Sequence, residues 1–368
     1  MHRYAKPVAA AVAMALAGVS GAALAADAPA GPKLSDIFAN SGITATGYVA
    51  ASYFHSSTDN GDHAPGWHQF DVGHDTFQLD QAGLTIAYQP AEGFGALVNV
   101  IAGEDAKVVN FAEGGSSGSS FNITQAFVQY ATGGLTVMGG KFVTLAGAEV
   151  IAPTGNTNFS RSLLFFTEPL THTGLRATYK FSDAFSLTAG VNNGWNTTHD
   201  STGGKTAEIG ISITPIPLLS LGINGYRGNE SQAGLPDGKH ELLDFVLTIK
   251  PSDALNFVVN YDYHKQDLPG GGEAKYQGIA GYVNWSITDQ FRVSLRGEVL
   301  DDKDGFLSGT DQKIKEATLT FGYMPATNFE LRLEGRYDKS GDPIFLKTDL
   351  ATVEDKSTEL AVQGLFKF

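Results

Sequence analysis

Phe329-Glu330-Leu331-Arg332-Leu333-Glu334-Gly335-Arg336-Tyr337 puts every odd residue on an apolar face and every even residue on a charged one. Side chains alternate faces along a strand, so this stretch reads as a strand between two unlike environments. The same pattern fills Phe291 to Val299, where Arg292, Ser294, Arg296 and Glu298 form the polar face. It recurs in Leu255 to Tyr263 and Leu243 to Lys250. Helical spacing is nearly absent. Strands are expected near 43–54, 76–88, 94–104, 121–131, 135–145, 171–181, 185–196, 206–214, 219–228, 241–250, 255–265, 275–287, 291–300, 314–324, 329–337 and 357–368. That is about sixteen, with fourteen to eighteen accepted. Each is close to the roughly 9–11 residues of a tilted membrane strand.

The connections alternate strictly between short and long. The short ones, such as Thr132–Gly134, Pro215–Pro217 and Pro325–Asn328, carry turn residues. The long ones, such as His55–Asp75, Asp105–Ser120 and Asp338–Lys356, are rich in Gly, Ser and Asp. An all-β, up-and-down antiparallel barrel has this asymmetry, with its long loops at one end. A soluble sandwich with Greek-key connections has no reason for it. Backbone groups in hydrocarbon must be paired, so such a sheet must close.

Composition narrows the class. Of the 368 residues only 17% are charged, while 44 are Gly, 23 Phe and 13 Tyr. Average chains carry about 25% charged residues. The aromatic content argues against disorder. A net charge of −14 argues against nucleic acid as a partner. Zero cysteines exclude disulfide scaffolds and zinc–thiolate sites. The start, with His2, Arg3 and Lys6, an apolar run to about Val19 and Ala23-Leu24-Ala25, reads as a signal peptide spanning 1–25. Residues 26–42 read as a periplasmic lead-in, and 43–368 as an outer-membrane barrel. Outside the leader no apolar run of about 18 residues exists, which excludes a helical membrane protein.

Loop 146–170 differs from the other long loops. Val150, Ile151, Phe159, Leu163, Leu164, Phe165 and Phe166 make it apolar, and an apolar loop needs a surface to pack on. It is expected to fold inward and narrow the pore, carrying Glu149, Arg161 and Glu168 into the constriction. Packing over the rim or a neighbouring subunit is the alternative. Strand parity places Lys141, Arg176, Arg292, Arg296, Glu330, Arg332, Glu334 and Arg336 on the inner wall, which then reads as more basic than the loops. For the charges of the last wall strand, a structural Arg–Glu ladder and solute contact are equally good readings. His55, His63, His68 and His74 lie in the first long loop among aspartates. They are weak metal candidates because their spacing is irregular. Gly114-x-Ser116-x-Gly118 matches the nucleophile-elbow pattern but lies in a Gly/Ser loop rather than between strand and helix. No cofactor motif is present. The last residues, Phe366-Lys367-Phe368, look like the assembly signal of outer-membrane barrels.

From Phe121 to Trp195 the chain resembles the OmpL-like β-barrel porin-2 family. The matching residues are Gly139-Gly140-Lys141-Phe142, Gly147, Glu149, Asn158-Phe159-Ser160-Arg161-Ser162, Thr171-His172-Thr173-Gly174 with Arg176 and Tyr179, and Gly190 to Trp195. The resemblance implies an outer-membrane porin for passive diffusion of small hydrophilic solutes and ions. It singles out Lys141, Glu149, Arg161 and Arg176, and it implies no particular cargo. A substrate-selective channel for an anionic solute class is the alternative, and an outer-membrane lipase a more distant one. The expected partners are outer-membrane lipid, the solutes and the barrel-assembly machinery. A homotrimer is expected by analogy with other sixteen-strand porins.

Overall fold

The computed structural model describes residues 41–61, 66–115, 118–200, 203–230 and 238–368. The signal peptide, nearly all of the lead-in, His63 and Ser116 lie outside them. The wall runs through β1 (Ile43–Ser56), β2 (Phe77–Tyr88), β3 (Gly93–Ala102), β4 (Phe121–Thr132), β5 (Leu135–Val143), β6 (Thr171–Ser182), β7 (Phe185–Asn192) and β8 (Thr206–Ile216). It continues through β9 (Leu219–Glu230), β10 (Gly238–Ser252), β11 (Leu255–Asp267), β12 (Glu273–Ser286), β13 (Phe291–Asp302), β14 (Gln312–Ala326) and β15 (Phe329–Ser340). A two-residue hairpin, β16 (Phe345–Leu346) and β17 (Val353–Glu354), sits in the last long loop before β18 (Lys356–Lys367). The sixteen wall strands pair antiparallel with their sequence neighbours, and β18 pairs with β1 to close the barrel. This is the expected closed barrel of sixteen wall strands.

Two segments depart from expectation. The loop after β3, expected to be irregular, holds helix α1 (Glu104–Ala112), whose Ala106 and Val109 are fully buried. Strand β7 stops at Asn192 rather than running to 196. Gly194 (φ 134°) and Asn196 (φ 53°) turn the chain there, and Trp195 is buried against Tyr226 and Leu242.

Alternation decides what each face meets. Along β15 the even residues are buried, while Leu333 and Tyr337 are exposed. Leu295, Leu319 and Phe321 are exposed on neighbouring strands, the surface a lipid-facing band requires. Aromatics pair at the short-turn rim: Phe94 with Tyr130 (4.9 Å) and Phe181 with Phe185 (5.2 Å) in tilted contacts, and Phe291 stacked on Tyr323 (4.9 Å). The core lies inside the barrel, under the long loops.

Candidate functional site: the segment in the lumen

Segment 144–170, between β5 and β6, packs on inward-facing wall residues. Phe159 meets Phe54 and Ala361, and Leu163 meets Tyr276, Leu300 and Ile314. Leu164 meets Ala280 and Tyr282, while Ile151 and Phe165 pack on Ile101 and α1. The short helix α2 (Leu163–Thr167) begins at Ser162, whose hydroxyl accepts from the Phe165 amide.

An irregular segment inside a barrel brings backbone groups that no sheet satisfies. Here the wall satisfies them with charges. Both oxygens of Glu334 accept amides, from Phe159 (2.6 Å) and Ser160 (2.8 Å). Glu298 accepts those of Leu163 (2.7 Å) and Leu164 (3.2 Å). Arg332 donates to the carbonyls of Pro153 (3.1 Å), Asn156 (2.9 Å) and Asn158 (3.2 Å). Arg336 donates to the Arg161 carbonyl, Arg292 to that of Thr157, and Arg296 to that of Ser160 and to Glu149 (2.8 Å). On the opposite wall Tyr226 Oη accepts the Leu145 amide, and Asn260 accepts that of Ala148. Glu330 pairs with Arg292 and Arg332.

Apart from Arg292 and Glu330, which pair with each other, the sequence-derived candidates fall into three groups. Glu149, Arg161, Glu168, Arg296, Arg332, Glu334 and Arg336 converge on the segment, and all are at most 7% exposed. They bind its backbone or wall partners instead of presenting free charge to a passing solute. Arg161 itself is folded into the segment, on the carbonyls of Val150, Phe159 and Ile151 and against the Phe70 and Phe165 rings. Arg176 stands apart, paired with Glu208 and stacked on Phe142. Lys141 differs from the parity reading. Its register against Ala126 and Thr173 puts it on the face of β5 opposite Phe142, where it binds Glu113 (2.5 Å). The pairing runs through Gly140 on both sides without a shift, so plain alternation from Phe142 sets this face.

Among the described histidines of the first loop, His55 and His74 share Asp75, while His68 has partners of its own. His55 binds Asp75, and His74 binds Asp59 and Asp75. His68 is held by Asp71, Asp338 and Glu359. Outside the membrane strands, burial and Arg336 oppose a charge on His68, but Asp71 and Asp338 outweigh them and raise its pKa well above the ordinary value. Burial opposes the charge on Asp71 too, yet His68 holds that carboxyl below its usual range. His172 and His264, the strand-end histidines, stack on Tyr226 and Tyr276. The inner wall is not basic: among the described residues four of its arginines are buried, against many more carboxylates, including Asp80, Glu208, Glu230, Asp244, Asp262 and Glu316.

Beside the segment, at the short-turn end, a chamber of about 790 Å³ remains against β1 to β5. Thr46, Thr85, Asn99, Thr124, Gln125 and Thr144 supply much of its polar lining, with Glu149 and Lys367 as its charged residues. None of these was singled out from the sequence. Their only signal is a polar residue at an inward parity position.

No curated protein matches the chain. Solved structures do. The outer membrane channel DcaP of Acinetobacter baumannii superposes with a TM-score of 0.61 at 16% identity, covering 89% of this chain and 97% of its own. The anion-selective porin from Comamonas acidovorans gives 0.59 at 13%, covering 89% and 99%. The trimer form of OmpT from Vibrio cholerae gives 0.58 at 12%, covering 89% and 99%. At these identities the likeness is one of fold. The family model described as "Putative beta-barrel porin-2, OmpL-like" matches residues 42–368, the entire barrel. The chain therefore belongs to that OmpL-like β-barrel porin-2 family and is an outer-membrane porin, a channel rather than an enzyme.

Proposed function

We propose that this porin passes small hydrophilic solutes by passive diffusion, with weak ionic preference, past a constriction formed by segment 144–170. The observation that carries the reading is that most of the polar side chains on the chamber's largely apolar lining are hydroxyls and amides, with Glu149 and Lys367 its charged ones. Such a surface hydrates a solute without holding it, and selectivity in pores follows the charges that line them. The arginines on which an anion-selective reading would rest are occupied by the segment's carbonyls. In planar bilayers the expected result is a non-saturating conductance with a reversal potential near zero in a salt gradient, and liposome swelling in small uncharged sugars. Saturable anion current that disappears in Arg332→Ala would instead support selective uptake.

The remaining assignments follow from the same reading. Export requires cleavage after Ala25, which N-terminal sequencing of the mature protein tests. The Phe368 amide and carbonyl each bond to Gly47 at 2.9 Å, so the last residue fastens the closing seam. That supports a role for Phe366 and Phe368 in recognition by the assembly machinery, tested by the assembly rate after deletion of Phe368. A homotrimer is supported by the trimeric form among the similar structures and is tested by native mass.

A further inference from the structure

Where segment 144–170 rises to rejoin the wall, three carboxylates converge: Glu168 of the segment, Asp244 of β10 and Asp262 of β11. One oxygen of each lies within 4.8 Å of the other two, and the residues are 6%, 0% and 1% exposed. The donors to Asp244 and Asp262 are amides, while Glu168 lies within hydrogen-bond reach of the Asp262 carboxyl. Asn224 Nδ2 donates to Asp244 Oδ2 (2.7 Å), and Asn260 Nδ2 to Asp244 Oδ1 (2.9 Å) and Asp262 Oδ1 (3.1 Å). Asp262 Oδ2 is buried and accepts from no group. The ion pairs among the described residues include none of the three; Arg176 pairs with Glu208, and Arg296 with Glu149 and Glu316.

The backbone makes room for this cluster. Gly147 has φ 87°, and a Cβ built on it would lie 1.9 Å from Glu168 Oε2. Glycine is thus required there twice, by conformation and by the carboxylate lying against it.

We propose that Glu168, Asp244 and Asp262 form a divalent-cation site, suited to calcium, that fastens the end of the lumen segment to the wall. Three buried carboxylates without a positive partner are stable only if a cation or protons neutralise them. Calcium binds six to eight oxygens at about 2.3–2.6 Å, so three oxygens around one ion in a plane lie about 4.0–4.5 Å apart. That spacing falls within the 4.8 Å limit of this cluster. Zinc prefers nitrogen and sulfur, which the three residues do not offer. The site joins two wall strands to the segment, so occupancy limits the segment's movement. The inference does not depend on which solutes pass.

The test uses the full mature porin in detergent, stripped with EGTA and dialysed against radioactive calcium up to about 1 mM, the upper end for extracellular sites. Wild type is compared with Glu168→Gln and Asp262→Asn, each shown to be folded by heat-modifiable gel migration. The acidic external loops are common to all three proteins, so the difference isolates this site. The expected result is one more calcium per chain in wild type, with at least a tenfold loss of affinity in either variant. Stripping should also raise open-channel noise in wild type and leave it unchanged in Glu168→Gln. Equal calcium binding by wild type and Glu168→Gln overturns the proposal, as does a wild type that binds none, and would mean that the carboxyls share protons. Should Asp262→Asn fail to fold, Glu168→Gln decides, because it alters the segment and not the wall.

Discussion

Glu334 serves two partners far away in sequence. Its carboxylate accepts the amides of Phe159 and Ser160 and the Thr320 hydroxyl (2.6 Å), all inside the barrel. Each buried amide left unpaired costs about 1–3 kcal/mol. Glu334→Ala should therefore loosen the segment by about 2–4 kcal/mol, while the barrel stays closed. The check is hydrogen exchange at Phe159 and Ser160, which should become much faster in the variant with the strand amides still protected. Alternation along β15 is enough to put Glu334 and Arg332 on the inner face. It leaves open whether they meet a solute or a wall charge; the ladder is there in part, since Arg332 pairs with Glu330, but for Glu334 and Arg332 it is not the whole of the contact. Their main partners are backbone groups of a segment about 175 residues earlier. A side-chain pattern carries no record of a backbone partner.

Elements were legible where the environment repeats. Every wall strand has lipid on one side and lumen on the other, so period two marks it. Helix α1 has no such repeat: Val108, Val109 and Phe111 sit in a loop of mixed composition, and only tertiary burial selects the helix. The segment's apolar residues did point to its inward packing. Deleting 150–166 should raise single-channel conductance and leave heat-modifiable migration intact; unchanged conductance would remove the constriction role. The loop between β1 and β2 allows a second test. His68 is faced by Asp71, Asp338, Glu359 and Arg336. Its raised pKa means that its stabilisation is complete below the ordinary 6.5 and is lost as pH rises through the folded value. The lowered pKa of Asp71 has the opposite sign: its contribution is present above 3.8 and is lost as pH falls through its folded value. Amide protection at 66–72 should thus be greatest at intermediate pH and fall on both sides. His68→Gln should flatten this profile.

At the scale of the whole barrel, one sheet separates two solvents, and the same substitution should have opposite consequences on its two faces. Leu319 is central in β14, paired with Leu295 and Gly335, and 37% exposed on the outer face. Ser212 of β8 is exposed on the other face, in register with Ser186 and Gly222. An arginine near the middle of the lipid face costs about 2–4 kcal/mol, because hydrocarbon cannot hydrate it. On the lumen side water remains available, so the fold is spared and the charge acts on the ions. The net charge of −14 does not anticipate this, since many of its carboxylates are buried against arginines and amides, away from the flow. Leu319→Arg should therefore lower the yield of folded barrel and the denaturant concentration needed to unfold it, with the selectivity of the surviving channels unchanged. Ser212→Arg should fold like the parent and move the reversal potential in a salt gradient toward anions. A Ser212→Arg channel with the parent's reversal potential would place the permeant path away from β8, on the side of the lumen where the chamber lies against β1 to β5.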